Sequence, residues 1–254
     1  MGRLVTFLYG VVAYVIFLGT FLYAIGFVGN IAVPKSMDSG ASGPVGPALA
    51  IDALLLAIFA IQHSVMARPA FKRWARKFIP QPVERSTYVL MASLALLALF
   101  WKWQPLGGRV WQVEDEAARV ALQMVSWTGW LTVLVTTFLI NHFDLFGLRQ
   151  VYLHLRGREY TAIAFRTPGP YNVVRHPLYV GFLLAFWATP TMTATHLVFA
   201  LATTAYILIA IQLEEHDLIA DHGEAYREYR ERVPMVLPLP APSWRPASAR
   251  RRSA

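Results

Sequence analysis

Long apolar runs, each about the length a helix needs to cross a bilayer, constrain this chain more than any other feature. Spanning takes ~20 apolar residues, and runs of that kind occupy 4–28, 48–67, 86–103 and 119–146. A fifth run, 178–213, is too long for one crossing. It breaks at Ala188-Thr-Pro-Thr-Met-Thr193, where Pro190 and three threonines favour a turn. It reads as a helical hairpin with a short first arm and a longer second arm. Lipid offers no partner to a backbone N–H or C=O, so each spanning segment must be helical. The expected fold class is an all-α polytopic membrane protein: four transmembrane helices plus a C-terminal helical hairpin, five to six spans. The first run exceeds the ~7–15 apolar residues of a signal sequence and reads as a retained helix.

Charge placement orients the runs. The net charge is +8, yet the basic residues lie in short loops between apolar runs, which excludes a nucleic-acid surface. Loop 68–85 carries Arg68, Lys72, Arg73, Arg76, Lys77 and Arg85 against Glu84 alone; loop 147–177 carries Arg149, Arg156, Arg158, Arg166 and Arg175. Loop 104–118 has Arg109 against Glu114, Asp115 and Glu116, and loop 29–47 has only Lys35 and Asp38. The positive-inside rule then places both termini and the basic loops in the cytoplasm, as expected of a multi-pass inner-membrane protein. Loop 29–47, rich in Gly, Pro and Ser, should be irregular. Trp101, Trp103 and Trp111 suit an interfacial belt on the opposite side. Segment 214–232 should carry the second arm out of the membrane, break at Gly223 and form a short helix. Residues 238–254, ending in Arg250-Arg251-Arg252-Ser-Ala, read as a flexible basic tail on anionic headgroups. The organisation is therefore 1–147, transmembrane helices with substrate-side residues; 148–237, cofactor loop, hairpin and cytoplasmic helix; and 238–254, the tail.

The chain has no cysteine. That excludes disulfides, thiolate metal sites and a cysteine nucleophile, so any sulfur chemistry belongs to a substrate or cofactor. Arg175, His176 and several tyrosines begin the hairpin, and Glu214, Glu215, Tyr226 and Tyr229 end it. A hairpin returns its ends to one level, and ionisable groups at a membrane border are costly unless used. These groups should therefore meet in one pocket. Arginine suits a carboxylate, glutamate an ammonium or ribose hydroxyls, and tyrosine a stacked ring. S-adenosylmethionine has those parts, and no glycine-rich phosphate loop favours a nucleotide instead. No metal is required: His216 and His222 sit beside a charged helix and read as solvated, and His196 as interfacial. Each group also has a plainer reading. Arg175 and His176 suit topology and a pre-proline turn, Glu214 and Glu215 a solvated helix end, His63 an interfacial histidine. Asp144 suits an ion pair with Arg149, and Tyr226 and Tyr229 suit packing of the short helix.

The segments GPYNVVRHPLYVGF at 169–182, EEHDL at 214–218 and GEAYREYRERVP at 223–234 resemble the membrane methyltransferases related to isoprenylcysteine carboxyl methyltransferase and the phospholipid methyltransferases. In that superfamily the R-H-P-x-Y segment and the later Glu-Glu bind S-adenosylmethionine. The resemblance implies a cofactor set of Tyr171, Arg175, His176, Tyr179, Gly181, Glu214, Glu215, Tyr226 and Tyr229. It covers roughly the C-terminal third and leaves the methyl acceptor open.

QHSVMAR at 62–68 and NHFDLFGLRQ at 141–150 resemble the bacterial methanethiol S-methyltransferase branch, and the first also resembles NnrU-like membrane proteins. The branch implies direct in-line transfer from S-adenosylmethionine to methanethiol, giving dimethyl sulfide. A small thiol is mostly protonated at neutral pH, so a base or a positive field must favour its thiolate. His63, His142 and Asp144 are the catalytic candidates. Residues two apart do not share a helix face, so Asp144 reads as the partner of His63 rather than of His142. Expected partners are a small hydrophobic thiol and the bilayer, and a monomer suffices. Another acceptor (a prenylcysteine carboxylate, a phospholipid amine, another thiol) and a non-enzymatic NnrU-like accessory role are the alternatives.

Overall fold

A computed structural model describes residues 2–239. The fold is all-α and polytopic, as the apolar runs predict. Five helices are long and apolar enough to cross a membrane: α1 (Arg3–Gly29), α2 (Val45–Ala67), α4 (Gln81–Lys102), α5 (Glu116–Ile140) and α9 (Ala194–His222). Short helices α3 (Pro69–Ala75), α6 (His142–Leu145), α7 (Leu148–Leu155) and α10 (Glu224–Arg232) lie at the end that carries the basic loops. The first hairpin arm is α8 (Pro177–Trp187), preceded by a 3-10 turn at Gly169–Asn172. Its 11 residues rise ~16 Å, about half the ~30 Å of a hydrocarbon core. The hairpin thus supplies one full crossing and one half-length arm.

The opposite end holds an unexpected element. Strand β1 (Arg109–Gln112) pairs antiparallel with β2 (Thr191–Thr193), Trp111 opposite Met192 and Gln112 opposite Thr191. The sequence reading treats both stretches as plain turns. Three or four residues carry too little alternation to announce a strand, but their backbone groups need partners near lipid and find them in each other. Val113 N–H extends the pairing to Pro190 O at 2.9 Å. The ribbon clips the hairpin turn to the α4–α5 connection.

Loop 30–44 is irregular as expected, yet it is tied down. Asp38 accepts from Thr193 Oγ1 at 2.6 Å and from Asn30 Nδ2 at 2.8 Å, and Lys35 Nζ donates to Trp101 O at 2.6 Å. Two expectations at this end need correction. Trp103 is not interfacial: α4 stops at Lys102, the chain turns inward, and the indole packs edge-on against Phe27 and Phe199 in the core. Trp101, 70% exposed, and the exposed Trp111 remain in the belt. His196 is buried rather than interfacial, because its Nε2 meets Phe186 O at 2.7 Å where α9 turns back on α8.

The core runs along the bundle through Phe27, Phe100, Trp103, Trp130, Phe186 and Phe199. α5 and α8 cross at contact distance through two glycines. A Cβ on Gly129 would stand 2.6 Å from Gly181 O and from Ala185 N; one on Gly181 would stand 2.8 Å from Gly129 O. Gly181 thus serves helix packing directly, whatever else the motif containing it does. The Ser126 hydroxyl adds a bond to Ala185 O at 3.1 Å.

α9 has 29 residues, ~44 Å of helix, so its last turns clear a hydrocarbon core. Gly223 ends it at φ +58°, a region glycine enters without Cβ strain. α10 then folds back and buries Tyr226 and Tyr229 against Phe165, Leu218 and Ile219. The Gly223 break and the short helix match the reading from sequence. Residues 240–254, with Arg250 to Arg252, lie outside the described residues.

Packing at the glycine crossing is tight against backbone, which cannot swing aside. Gly181→Ala is expected to cost about 1–3 kcal/mol through overpacking. The check is a lowered unfolding midpoint in detergent. Gly19→Ala, with nothing within 4 Å of its Cβ position, should leave the midpoint in place.

Candidate active site

The start of α8 and the end of α9 meet, as the hairpin predicts, and they meet through charge. Arg175 Nε donates to Glu215 Oε1 at 2.7 Å, and His176 Nε2 stands 3.0 Å from the same oxygen. Arg230 Nε on α10 lies 3.2 Å from Glu215 Oε2. Arg175 Nη1 also donates to the carbonyls of Arg230 and Val233. Backbone bonds complete the closure: Arg175 N–H to Pro234 O at 2.8 Å and His176 N–H to Met235 O at 3.1 Å. Glu215 is 2% exposed. Both its oxygens are used, and Arg175 is spent largely on protein groups. This pair ties the hairpin to α10 and to the strap that follows it.

Glu214 is different. Its side chain is 44% exposed, and its nearest charge partner is His176 Nδ1 at 3.8 Å. It faces the Tyr179 hydroxyl on α8, whose ring leans against His176 at 5.7 Å. Tyr179 lies within electrostatic reach of Tyr206 on α9 and Tyr88 on α4, and Tyr88 within reach of Glu214. Tyr88 Oη stands 2.8 Å from His63 Nε2 and 3.1 Å from Nδ1, straddling the ring edge. Only one of those bonds forms at a time, so His63 keeps a nitrogen for another partner. Its ring stacks on Phe59 at 5.2 Å, and neighbouring Ser64 meets the Tyr206 hydroxyl at 3.2 Å. Glu214, Tyr179, Tyr88 and His63, carried on α9, α8, α4 and α2, therefore lie within electrostatic reach of their neighbours at one end of the bundle.

Tyr171, Tyr226 and Tyr229 gather beside Glu214 and Glu215. Tyr229 Oη donates to Tyr171 O at 2.6 Å. Burial raises all three phenols, Tyr229 to about 12 and the other two further, so they stay protonated and donate. The Tyr226 hydroxyl is buried with no hydrogen-bond partner among the described residues, within reach of Glu215, Arg175 and Glu214. A buried hydroxyl left unbonded costs about 1–3 kcal/mol, so a ligand that bonds it gains by doing so. The group set fits a cationic, aromatic, zwitterionic cofactor: phenol donors, rings and an available carboxylate.

The other candidates sit apart. His142 lies at the α5–α6 junction, stacked on Phe138 at 4.2 Å, with Nδ1 2.8 Å from Thr137 Oγ1 and Nε2 2.8 Å from Tyr14 Oη. Thr137 spends its proton on Leu134 O at 2.7 Å. His142 Nδ1–H must therefore donate to Thr137, and Nε2 accepts from Tyr14. Burial holds this imidazole below the ordinary histidine range, and both nitrogens are occupied. Asp144 does not pair with His63, as its position in sequence suggests. It binds Arg149 Nη1 at 2.9 Å and accepts from Tyr160 Oη at 3.3 Å, because α6 and α7 fold Arg149 back over it.

Sequence reasoning missed Tyr88, Tyr206 and Arg230. Tyr206 and Glu214 are eight apart on α9 and share a helix face, and Arg230 follows Tyr226 by four on α10. That spacing was available once a site at Glu214 and Tyr226 was named. Tyr88 carries no such signal: it lies in an apolar run and is drawn in only by the packing of α2 on α4.

Comparison with known proteins places the chain in a family. The phospholipid methyltransferase family profile matches residues 126–222, which span α8, α9 and both glutamates. A methanethiol S-methyltransferase of Mycobacterium tuberculosis is 54% identical over 94% of this chain and 98% of its own length. Methanethiol S-methyltransferase 2 of Bradyrhizobium diazoefficiens is 57% identical over 93% of this chain and 91% of its own. Mouse nurim is 30% identical over 67% of this chain and 68% of its own. No solved structure matches the chain.

Removing one partner of a buried pair strands the other charge, a loss of about 3–5 kcal/mol. Glu215→Gln is therefore expected to lower folded yield and the unfolding midpoint sharply. The double change Arg175→Met with Glu215→Leu should recover part of that stability, measured by the same detergent melt. Glu214→Gln should leave the melt unchanged.

Proposed function

The chain belongs to the methanethiol S-methyltransferase family, and from that premise we propose that it methylates methanethiol to dimethyl sulfide with S-adenosylmethionine as donor. It is an enzyme of the methyltransferase class. The observation that carries the fuller reading is the gathering of Glu214, Tyr179, Tyr88 and His63 from four helices within electrostatic reach of one another in turn. In this reading the donor is held at the Glu214 end of that set and the acceptor at the His63 end. Bound there, S-adenosylmethionine supplies an electrophilic sulfonium methyl for direct in-line transfer to the acceptor sulfur.

In this reading Glu214 holds the donor's ammonium or ribose hydroxyls. Tyr226 bonds it through its open hydroxyl, and Tyr171, Tyr179, Tyr229 and His176 form the surrounding wall. Arg175 and Glu215 act one layer out, setting the positions of Glu214 and α10. Arg230, exposed on one side, is the arginine available to a carboxylate. The acceptor sulfur lies at the edge of His63, whose open nitrogen takes a thiol proton while Tyr88 orients the ring. His142 and Asp144 serve as supports, fixing α1 to α5 and α7 to its following loop. Excluding water from the site and aligning the two sulfurs supplies much of the rate. The basic end faces the cytoplasm of an inner-membrane protein, from which the donor enters. An apolar thiol partitions into the bilayer and arrives from there. One chain holds the whole set, so a monomer is sufficient.

The test is methyl transfer by detergent-purified protein from labelled S-adenosylmethionine. Methanethiol, hydrogen sulfide, a prenylcysteine and a phospholipid amine are offered together. Dimethyl sulfide is the expected main product; label found only in lipid or prenyl product rejects the acceptor, and no transfer to anything rejects the donor. Glu214→Gln should raise the donor KM about 10–100-fold, the worth of a hydrogen bond to a charged group. His63→Ala should lower kcat, by as much as about 10²–10⁴-fold where the acceptor arrives as the un-ionised thiol and needs a general base, with the donor KM unmoved. Stopped-quench assays with saturating methanethiol read both.

A further inference from the structure

A second feature reaches Tyr88 from the basic end. Between the last turn of α2, α3 and the first turns of α4 lies a hollow lined by Met66, Phe71, Lys72, Glu84, Arg85 and Tyr88, with a volume of about 20 Å³, enough to seat one small group, and a mouth open to solvent. Met66 and Phe71 make its wall apolar. Tyr88 links it to His63: the residue lines the hollow and its hydroxyl stands 2.8 Å from His63 Nε2.

Its charges are unbalanced. The two carboxylates within reach of Lys72 are already paired, Glu84 with Arg76 at 2.6 Å and Asp217 with Arg68 at 2.9 Å. Neither Lys72 nor Arg85 has a carboxylate partner among the described residues. Arg85 instead donates to Leu145 O at 2.8 Å and lies over the Tyr88 ring, 5.3 Å from its centroid. Burial first, then the Arg85 charge, hold the Lys72 ammonium below the ordinary lysine range. Two half-buried cations beside an apolar wall are stabilised by an anion that also brings apolar surface. A hollow this small excludes a prenyl or acyl chain.

We propose that this hollow binds a small apolar anion, the methyl acceptor in its thiolate form, and delivers it past Tyr88 to His63. The proposal rests on the thiol-methylation reading above and adds an entrance on the aqueous side. The thiol's proton stays with water at the open mouth, and Lys72 and Arg85 stabilise the sulfur anion left behind. An acceptor delivered in this way needs His63 only for alignment; one that arrives un-ionised from the bilayer still needs it as a base.

Steady-state kinetics of the detergent-purified full chain test this, with thiocyanate as an inert small anion. Lys72→Met should raise the methanethiol KM about ten-fold, the loss of a modest charge interaction, with kcat and the donor KM little changed. Lys72→Arg should restore it. Thiocyanate should compete with methanethiol, not with the donor, and lose potency in Lys72→Met. An unchanged methanethiol KM in Lys72→Met overturns the proposal, as does thiocyanate competing with the donor. Should the wild-type protein make no dimethyl sulfide, calorimetric titration with thiocyanate separates the two ideas. Saturable, Lys72-dependent binding keeps the hollow as an anion site while the thiol reading falls; no binding removes the hollow as well.

Discussion

One buried carboxylate organises the basic end of this molecule. Glu215 accepts from Arg175 and His176 on one oxygen and faces Arg230 on the other, so three segments far apart in sequence converge on a single side chain. A lone carboxylate at a membrane border is expensive to desolvate, and a lone arginine scarcely less so. Together, with backbone carbonyls taking the remaining guanidinium donors, they become affordable. The hairpin's entry, its exit and α10 cannot then move independently. The neighbouring Glu214, one residue away and so about 100° around the helix, is turned toward Tyr179 and solvent. Adjacent glutamates thus take opposite tasks: one is consumed by structure, and the other is left with capacity for a ligand.

The bilayer imposes the rest of the plan. Segments that meet lipid are helical, and the only extended pairing in the described chain lies at the far end, where α8 falls short of a full crossing. Polar side chains inside the bundle are absorbed in the same spirit. Thr137, His142 and Tyr14 satisfy one another in sequence, and Ser126, Thr136, Thr203 and Thr204 return their hydroxyls to helix carbonyls. His63 differs in that both its ring nitrogens stand against a single hydroxyl, Tyr88 Oη.

Much of the fold was legible in the sequence because lipid makes periodicity unnecessary: length and apolarity alone mark a crossing. The runs at 4–28, 48–67, 86–103 and 119–146 each became a helix with ends displaced by a few residues, and the break at 188–193 fell where Pro190 and the threonines put it. The convergence of Arg175 and His176 with Glu214 and Glu215 was equally legible, since a hairpin must bring its ends together. How the charges would be shared was not. Arg175 read as a carboxylate binder and is instead held by Glu215, and Asp144 read as a histidine's partner and is instead held by Arg149. Pairing of that kind depends on side-chain direction and on which short helix folds back, and neither leaves a trace in spacing. Gly181 lay inside a motif associated with cofactor binding, and its crossing with Gly129 could not be read without the partner helix.

The half-length α8 has a mechanical consequence. It is a strut of three turns, pinned at one end by the ribbon through Thr191–Thr193 and at the other by Arg175 and His176, and locked along its side to α5 by the paired glycines. A rod held at both ends and along one side has little freedom to bend or slide, so the two ends of the bundle are coupled through α8: a shift of the ribbon carries to Arg175 and His176 instead of being absorbed between them.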